Sequence, residues 1–257
     1  MADEVRYPSR AECAAVVDIV WGKVGDTKFE GVDDGRLVAL QPTWGIGVQA
    51  IRQARAYFAL TAGGDFEREG WVNVRVALEH ALSAQWVLHR RGALSVLQRH
   101  IHHNLKAETE RLADWIGDQS LKEKAALIDV PDGDPFPGFT RMAEQLVNTE
   151  TLTVPYARLS LATHVRADTS LVYQRTGEDG HLQFFLDPQG VSPLPGPFTA
   201  AMAATLAGYV IFELCGDEDA LRALAEITEA LQLPFDIRDE FPAAIRRDEA
   251  FSAADND

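Results

Sequence analysis

The residue types and spacings that could support chemistry occur in two segments. Arg75 and Glu79 are four residues apart, so on a helix their guanidinium and carboxylate groups lie one turn apart on the same face. Tyr156, Ser160 and His164 recur at the same spacing and would place a phenol, a hydroxyl and an imidazole along one face of a second helix. If the two faces meet, they form a pocket suited to general acid–base catalysis or to binding a small anionic ligand or a partner segment.

Both sets of residues also fit a purely structural role, in which buried polar groups satisfy one another. Arg75 lies in an apolar stripe with Trp71 and Leu78, and a guanidinium in such a stripe needs an anion. Glu79 is the neighbour that helical geometry offers. We therefore predict that Arg75 and Glu79 are buried and paired to each other or to the helix that carries Tyr156.

A basic, imidazole-rich segment departs from an otherwise acidic composition. The chain has a net charge of −15, yet no carboxylate lies between Glu79 and Glu108, and this stretch holds five of the seven histidines. We define the basic island as Arg90, Arg91, Arg99, His100, His103 and Lys106.

Two expectations for the basic island stay open. It could bind RNA or an acidic partner with an affinity that falls with salt, although the acidic remainder of the chain makes broad nucleic-acid binding unfavourable. Alternatively, it could pair with the acidic C-terminal third, residues 213–249, in an internal or homodimer contact.

The rest of the sequence predicts an all-α multi-helix bundle with a short β-hairpin or isolated strands. Ser9 and Glu12 have the spacing of a capping box and should begin the first helix. Residues 67–91 are the most apolar helical segment and should form the central helix. Residues 191–212 carry no charge, but three prolines shorten the helical part, which predicts a buried core helix and no membrane span.

We expect one helical domain over residues 1–257, with its clearest internal linker, and any subdivision, at residues 130–137 (VPDGDPFP) and a frayed acidic tail at 252–257. Asp33-Asp34-Gly35 predicts a hairpin turn between residues 28–32 and 36–40. A strand is expected at 181–186, a helix over 155–174 and a last helix over 237–251.

Other chemistries have little support in the sequence. His100, His102 and His103 lack the ExxH spacing of helical metal sites, and Ser160 lacks a GxSxG elbow. We therefore expect no metal and no cofactor. The N-terminus does not resemble a signal peptide and the two cysteines suit a reducing compartment, which predicts a cytoplasmic protein.

The two polar segments resemble a bacterial all-helical family, domain of unknown function 5677. The segment VRVALEHALSAQWVL carries Arg75 and Glu79, and YARLSLATHVRADTS carries Tyr156, Ser160 and His164. The resemblance covers residues 45–175. It implies a helical fold and a shared polar site, without an agreed activity.

The segment from Arg75 to His80 also resembles the Arg-x4-His motif of the HEPN ribonuclease superfamily, which includes toxin and phage-defence proteins. This resemblance implies metal-independent RNA cleavage, in which the histidine activates the 2′-hydroxyl and the arginine stabilises the phosphorane. Val76 stands where those proteins usually carry Asn, Asp or His. The five-residue spacing places His80 about 140° around a helix from Arg75. The alternative function is therefore a ribonuclease or another His-dependent hydrolase with Arg75, Glu79, His80 and His164 as candidate catalytic residues.

Overall fold

The computed structural model describes residues 7–64, 66–163, 173–178, 181–185, 196–247 and 251. Within these ranges the chain forms nine α-helices and one two-stranded antiparallel sheet, which confirms the all-α class with a short hairpin. The helices are α1 (Arg10–Asp26), α2 (Asp34–Leu60), α3 (Glu67–His89), α4 (Ala93–Ile116), α5 (Gln119–Ala126), α6 (Phe139–Ala143), α7 (Glu150–Thr163), α8 (Gly196–Cys215) and α9 (Glu218–Leu231). The strands are β1 (Gln174–Thr176) and β2 (Leu182–Phe184).

The first helix begins as the capping box predicts. The Ser9 side chain accepts a hydrogen bond from the Glu12 backbone N–H, and the Glu12 carboxylate accepts one from the Ser9 backbone N–H at 2.7 Å. The cap places Arg10 in the first turn. Its guanidinium donates to Glu67 in α3 at 2.9 Å and to the Thr61 carbonyl after α2 at 3.1 Å. This arginine therefore ties the start of α1 to the α2–α3 connection.

Helix α3 is the central helix, as its composition predicts. It packs against α2, α4, α6, α7 and α8. Its interior side chains include Val74, Leu78 and Leu82, all fully buried. Burial of apolar side chains on this scale is the main force that stabilises the bundle.

Helix α8 is the second core helix. By length and composition it could cross a membrane, but 83% of its most apolar window is buried inside the protein. This burial matches the prediction of a core helix for the uncharged segment. Its small side chains let α1, α2 and α3 approach closely, and a Cβ at Gly47 of α2 would already lie 3.0 Å from Ile211.

The segment at 130–137 is irregular, as its composition predicts, and it joins parts that share one hydrophobic cluster. That cluster includes Leu97 before the segment and Leu159 and Leu206 after it. Phe136 lies within the segment and packs edge-on against Trp86 of α3, with ring centroids 5.4 Å apart. The linker is thereby held against the core.

Two predicted elements are wrong. No hairpin forms at residues 28–40, because Asp33 caps the N-terminus of α2 by accepting from the Arg36 N–H, so the predicted turn becomes the first turn of a helix. No helix covers 237–247, since after the 3-10 turn Arg238–Glu240 the chain pairs with α3's end through hydrogen bonds such as Arg91 N–H to the Ile245 carbonyl at 3.0 Å. Pro242 is compatible with this break.

The strand expected at 181–186 is present as β2, but the strand that pairs with it, β1, was not predicted. Gln174, the end of the predicted helix over 155–174, lies in β1, opposite Phe184. Helix α7 starts at Glu150, earlier than predicted. Residues 164–172 and the tail at 252–257 lie outside the described residues.

A buried amide joins α3 to two distant segments. Gln85 is fully buried; its Nε2 donates to the Leu206 carbonyl of α8 at 2.8 Å and to the Phe235 carbonyl at 2.9 Å. Its Oε1 accepts from the Ile237 N–H at 3.3 Å and lies 3.0 Å from Nε2 of His89. One side chain therefore forms hydrogen bonds with three backbone groups in the core.

We predict that Gln85→Met lowers the free energy of unfolding by about 3 kcal/mol, because the apolar side chain leaves buried backbone groups unsatisfied. Gln49→Met, on the half-buried surface of α2, is the matched control and should change it by less than about 0.5 kcal/mol. Chemical denaturation of both variants measures the difference. Equally small decreases in the free energy of unfolding for both variants would show that the hydrogen bonds of Gln85 do not contribute to stability.

Candidate functional site

The two polar faces predicted from the sequence meet in a triad of Arg75, Glu79 and Tyr156. Arg75 Nε donates to Glu79 Oε1 at 3.1 Å, and its Nη2 donates to the Tyr156 hydroxyl at 3.0 Å. The same hydroxyl donates to Glu79 Oε1 at 2.8 Å. The two helices therefore share one closed hydrogen-bonded cycle, which confirms the predicted pairing of Arg75.

The triad is half-buried, whereas the sequence predicted that Arg75 and Glu79 would be buried. The exposed fractions of the side chains are 21% for Arg75 and 33% for Glu79. Burial and the hydrogen bond to Glu79 raise the pKa of Tyr156 above its ordinary value, so the phenol remains protonated and neutral.

The Tyr156 ring is held by two further contacts. Phe139, at the start of α6, stacks on it with a centroid distance of 3.8 Å and an angle of 11°, and the Arg75 guanidinium lies 5.1 Å from its centroid. The Ser160 hydroxyl donates to the Tyr156 carbonyl at 2.8 Å along the same helix. His164 lies outside the described residues, so its predicted place on this polar face is not described.

A pocket of about 610 Å³ opens beside the triad. It lies between α2, α3, α4 and the segment that leads from the linker into α6. Its walls are largely apolar and aromatic, with Leu97, Ile101, Phe136, Phe139 and Met142 among them, and its polar lining consists of Glu79, His80, Ser83, His100 and Tyr156. Two of the five residues predicted to bind ligand, Glu79 and Tyr156, thus line this pocket.

Two imidazoles face this pocket in defined tautomers. Nδ1 of His80 lies 2.8 Å from the Val76 carbonyl oxygen, so Nδ1 carries a proton and donates; in the neutral tautomer Nε2 is then an acceptor. His100 stacks on Phe136 at 5.2 Å, and its Nε2 accepts from Asn104 at 3.0 Å. Burial, with a smaller contribution from His103, lowers the pKa of His100, so this ring is neutral at pH 7 and presents Nδ1–H as a donor.

The hydrogen-bonding capacity left over in the pocket is mainly that of acceptors. Within the described residues, Glu79 Oε2 and His80 Nε2 have no hydrogen-bond partner. The Ser83 hydroxyl donates to the Glu79 carbonyl at 2.8 Å and keeps its lone pairs. The Tyr156 hydroxyl is already used as donor and acceptor. Only His100 Nδ1–H adds a donor.

Members of the basic island point to different places. Arg90 lies over the Trp86 ring at 4.9 Å, and Arg91 contacts the C-terminal segment through the Ile245 carbonyl. Arg99 donates to the Asp132 and Asp134 carbonyls at 3.4 Å and so holds the linker that carries Phe136. His103 is exposed and Lys106 half-buried on α4. His89, which also lies in this stretch, has its Nε2 2.9 Å from Oδ1 of Asp236, one contact with the acidic C-terminal third.

The pocket wall supplied by the linker was missed by sequence reasoning. Phe136 and Phe139 are large aromatic residues beside Pro and Gly in VPDGDPFPGF, and this combination indicates that an irregular segment packs against the core.

A second triad was also missed. Tyr57 donates to Glu67 and lies under the Arg10 guanidinium, 5.3 Å from its ring centroid. Its charges are internally paired, which fits a structural role.

Comparison of the chain with protein-family models, with curated proteins and with solved structures found no significant match. The resemblances on short motifs described above therefore stay predictions, and the site is interpreted from its own geometry.

We predict that Arg75 and Tyr156 are energetically coupled. Tyr156→Phe should lower the free energy of unfolding by about 1 kcal/mol, because two charge-assisted hydrogen bonds are lost at a partly solvated site. In a double-mutant cycle with Arg75→Met, the coupling should be about 1 kcal/mol. Arg222→Met, which breaks an exposed ion pair with Asp219, is the control and should cost less than about 0.5 kcal/mol. Additive single effects would contradict the triad.

We predict that the His100 ring titrates below its ordinary pKa of 6.5 in an NMR titration. The folded state disfavours the protonated ring. His100 therefore contributes stability that is fully present above its ordinary, unfolded-state pKa and is lost as the pH falls through its folded pKa. His100→Phe keeps the stack on Phe136 and should flatten the pH dependence of stability in this range. A titration at or above the ordinary value would contradict the burial of this ring.

Proposed function

We propose that this protein binds a small molecule in the pocket between α2, α3, α4 and the Phe136–Met142 segment. The observation that carries the proposal is the pocket itself: a volume of about 610 Å³, apolar and aromatic walls, and a few convergent polar groups. These are the properties of small-molecule sites, and the volume suits such a ligand better than a partner segment.

The free hydrogen-bonding groups favour a planar ligand that carries hydrogen-bond donors. Phe136 and Phe139 offer ring faces for stacking. Glu79 Oε2, His80 Nε2 and the Ser83 hydroxyl offer acceptors on one helix, and His100 offers one donor. A ligand that supplies donors pairs with these acceptors and therefore gains the most from this lining.

The anionic ligand expected from the sequence has less support at this site. The charge of Arg75 is already compensated by Glu79 and directed at Tyr156, and Arg75 is not among the residues that line the pocket. An anion would bring its charge next to the Glu79 carboxylate. A neutral or cationic head group avoids this repulsion.

RNA cleavage is the alternative function, and one observation favours it: His80 and His100 line the same pocket, as general acid–base catalysis by two imidazoles requires. The competing observation is that Arg75 has a carboxylate partner and is not free to stabilise a phosphorane. Incubation with a mixed RNA pool in EDTA separates the two functions, since only a ribonuclease would cleave it and lose that activity in His80→Ala.

We predict that Gly45→Phe abolishes ligand binding without unfolding the protein. Gly45 lines the pocket within α2, and a Cβ there meets no atom within 4 Å, so the larger side chain enters open space. Gly22→Phe is the matched control, because Gly22 lies within α1, also has open space and does not line the pocket.

The measurement is an NMR titration with benzamidine, benzamide and benzoate, which share one ring and differ in the charge and donors of the head group. The proposal expects shifts of pocket residues with benzamidine or benzamide at lower concentration than with benzoate, in the native chain and in Gly22→Phe only. A preference for benzoate would support the anionic ligand instead. Equal shifts in Gly45→Phe would show that binding occurs elsewhere and would overturn the proposal.

A further inference from the structure

A second cavity, of about 620 Å³, lies between α1 and α2. None of the residues that line it belongs to the pocket beside the triad. Ala14 of α1 and Ala56 and Ala59 of α2 form part of its lining, and their small side chains leave the space between the two helices open. Val17 and Phe58 add further apolar surface. The cavity is therefore large and apolar enough to hold the body of a small organic molecule.

The charged side chains of this lining are two cations and one anion. Arg52 and Arg55 come from α2 and Asp18 comes from α1, so the lining carries a formal charge of +1. The whole chain carries −15 and repels anions at a distance. A local excess of positive charge inside a cavity is therefore a feature that distinguishes this place from the rest of the surface.

The Arg55 guanidinium is held in position before any ligand binds. Its Nε donates to Asp18 Oδ1 at 3.2 Å, and its carbon lies 4.8 Å from the centroid of the Trp21 ring. Among the described residues, its two terminal amino groups have no hydrogen-bond partner. Because the side chain is already ordered, it loses little conformational entropy when an acceptor binds to these groups.

Arg52 is the second cation and lies on the same face of α2, three residues before Arg55. Within the part of the chain that the structure describes, Arg52 forms no hydrogen bond and no ion pair. Two cations at this spacing repel each other, and Asp18 compensates only one of them. One further negative charge beside Arg52 and Arg55 would complete the set.

We propose that the cavity between α1 and α2 binds a small organic carboxylate. The carboxylate pairs with Arg52 and Arg55, whose planar guanidinium groups match its two oxygens. The apolar body of the ligand lies along the alanines of the two helices. A carboxylate supplies the single negative charge that the lining lacks, whereas a phosphate ester carries about −1.5 to −2 at pH 7 and would place excess negative charge next to Asp18. This site does not depend on the function proposed for the first pocket.

An NMR titration of the full chain with naphthoate, naphthamide and naphthyl phosphate tests the class of ligand. Naphthoate should shift the resonances of Ala14 and Ala56 at a concentration at least about tenfold lower than naphthamide, because only the acid forms charge-assisted hydrogen bonds. Added salt should weaken its binding. Equal binding of the acid and the amide, or no shift with any probe, overturns the proposal. Tighter binding of the phosphate ester overturns the assignment to a carboxylate.

Variants of the charged side chains test their roles. Arg52→Gln should weaken naphthoate binding at least about tenfold. Arg222→Gln, on the exposed surface of α9, is the matched control and should leave it unchanged. Asp18→Asn keeps an oxygen that accepts from Arg55 but removes a like charge, so it should strengthen binding by about threefold. Unchanged binding in Arg52→Gln contradicts the proposal, and so does weaker binding in Asp18→Asn.

A third variant tests the location. Ala56→Phe should abolish naphthoate binding, because Ala56 is an exposed residue of the lining and the larger side chain occupies the cavity. Gly45→Phe, which occupies the first pocket, should leave naphthoate binding unchanged. The two sites can therefore fail separately. Naphthoate shifts that persist in Ala56→Phe and disappear in Gly45→Phe would place the carboxylate in the first pocket and overturn this inference.

Discussion

The burial of α3 on most of its sides is the constraint on which the rest of the structure depends. A helix in this position loses contact with water, so each polar group along it needs a partner from another element. Glu67 obtains Arg10 from α1, Glu79 obtains Arg75 and Tyr156, and Gln85 binds carbonyls of α8 and the C-terminal segment. These contacts fix which elements surround α3 and in what register.

The pocket lies where this enclosure is incomplete. His80 and Ser83 of α3 face an opening between α2 and α4, and among the described residues the segment from Phe136 to Met142 closes this opening only in part. Arg99 binds the linker through its carbonyls, and Tyr156 stacks on Phe139, so the wall is fixed by contacts within the protein. A site supported in this way is preorganised for a rigid ligand, since little ordering remains to be done on binding.

The need of charged groups for partners also explains how charges are arranged elsewhere in the protein. At the edge of the core, cations and carboxylates occur in closed sets such as Arg10, Tyr57 and Glu67, in which the charges of Arg10 and Glu67 compensate each other. On α4, by contrast, the charged residues Arg99, Lys106, Glu110 and Asp114 lie on the side of the helix opposite the exposed apolar residues Ile101, Leu105, Leu112, Trp115 and Ile116. The polar and apolar faces of this helix are therefore separated.

The sequence by itself determined the all-α class, the capping box at Ser9, the central position of α3, the burial of α8 and the pairing of Arg75 with Glu79, because helical periodicity and i, i+4 spacing are local. Tertiary structure decided what periodicity cannot encode. The turn at Asp33 became a helix cap, residues 237–247 paired with the end of α3 instead of forming a helix, and Phe136, His80 and His100 met in one pocket. These outcomes depend on contacts between residues far apart in the chain, whose free energies outweigh local preferences once the core has formed.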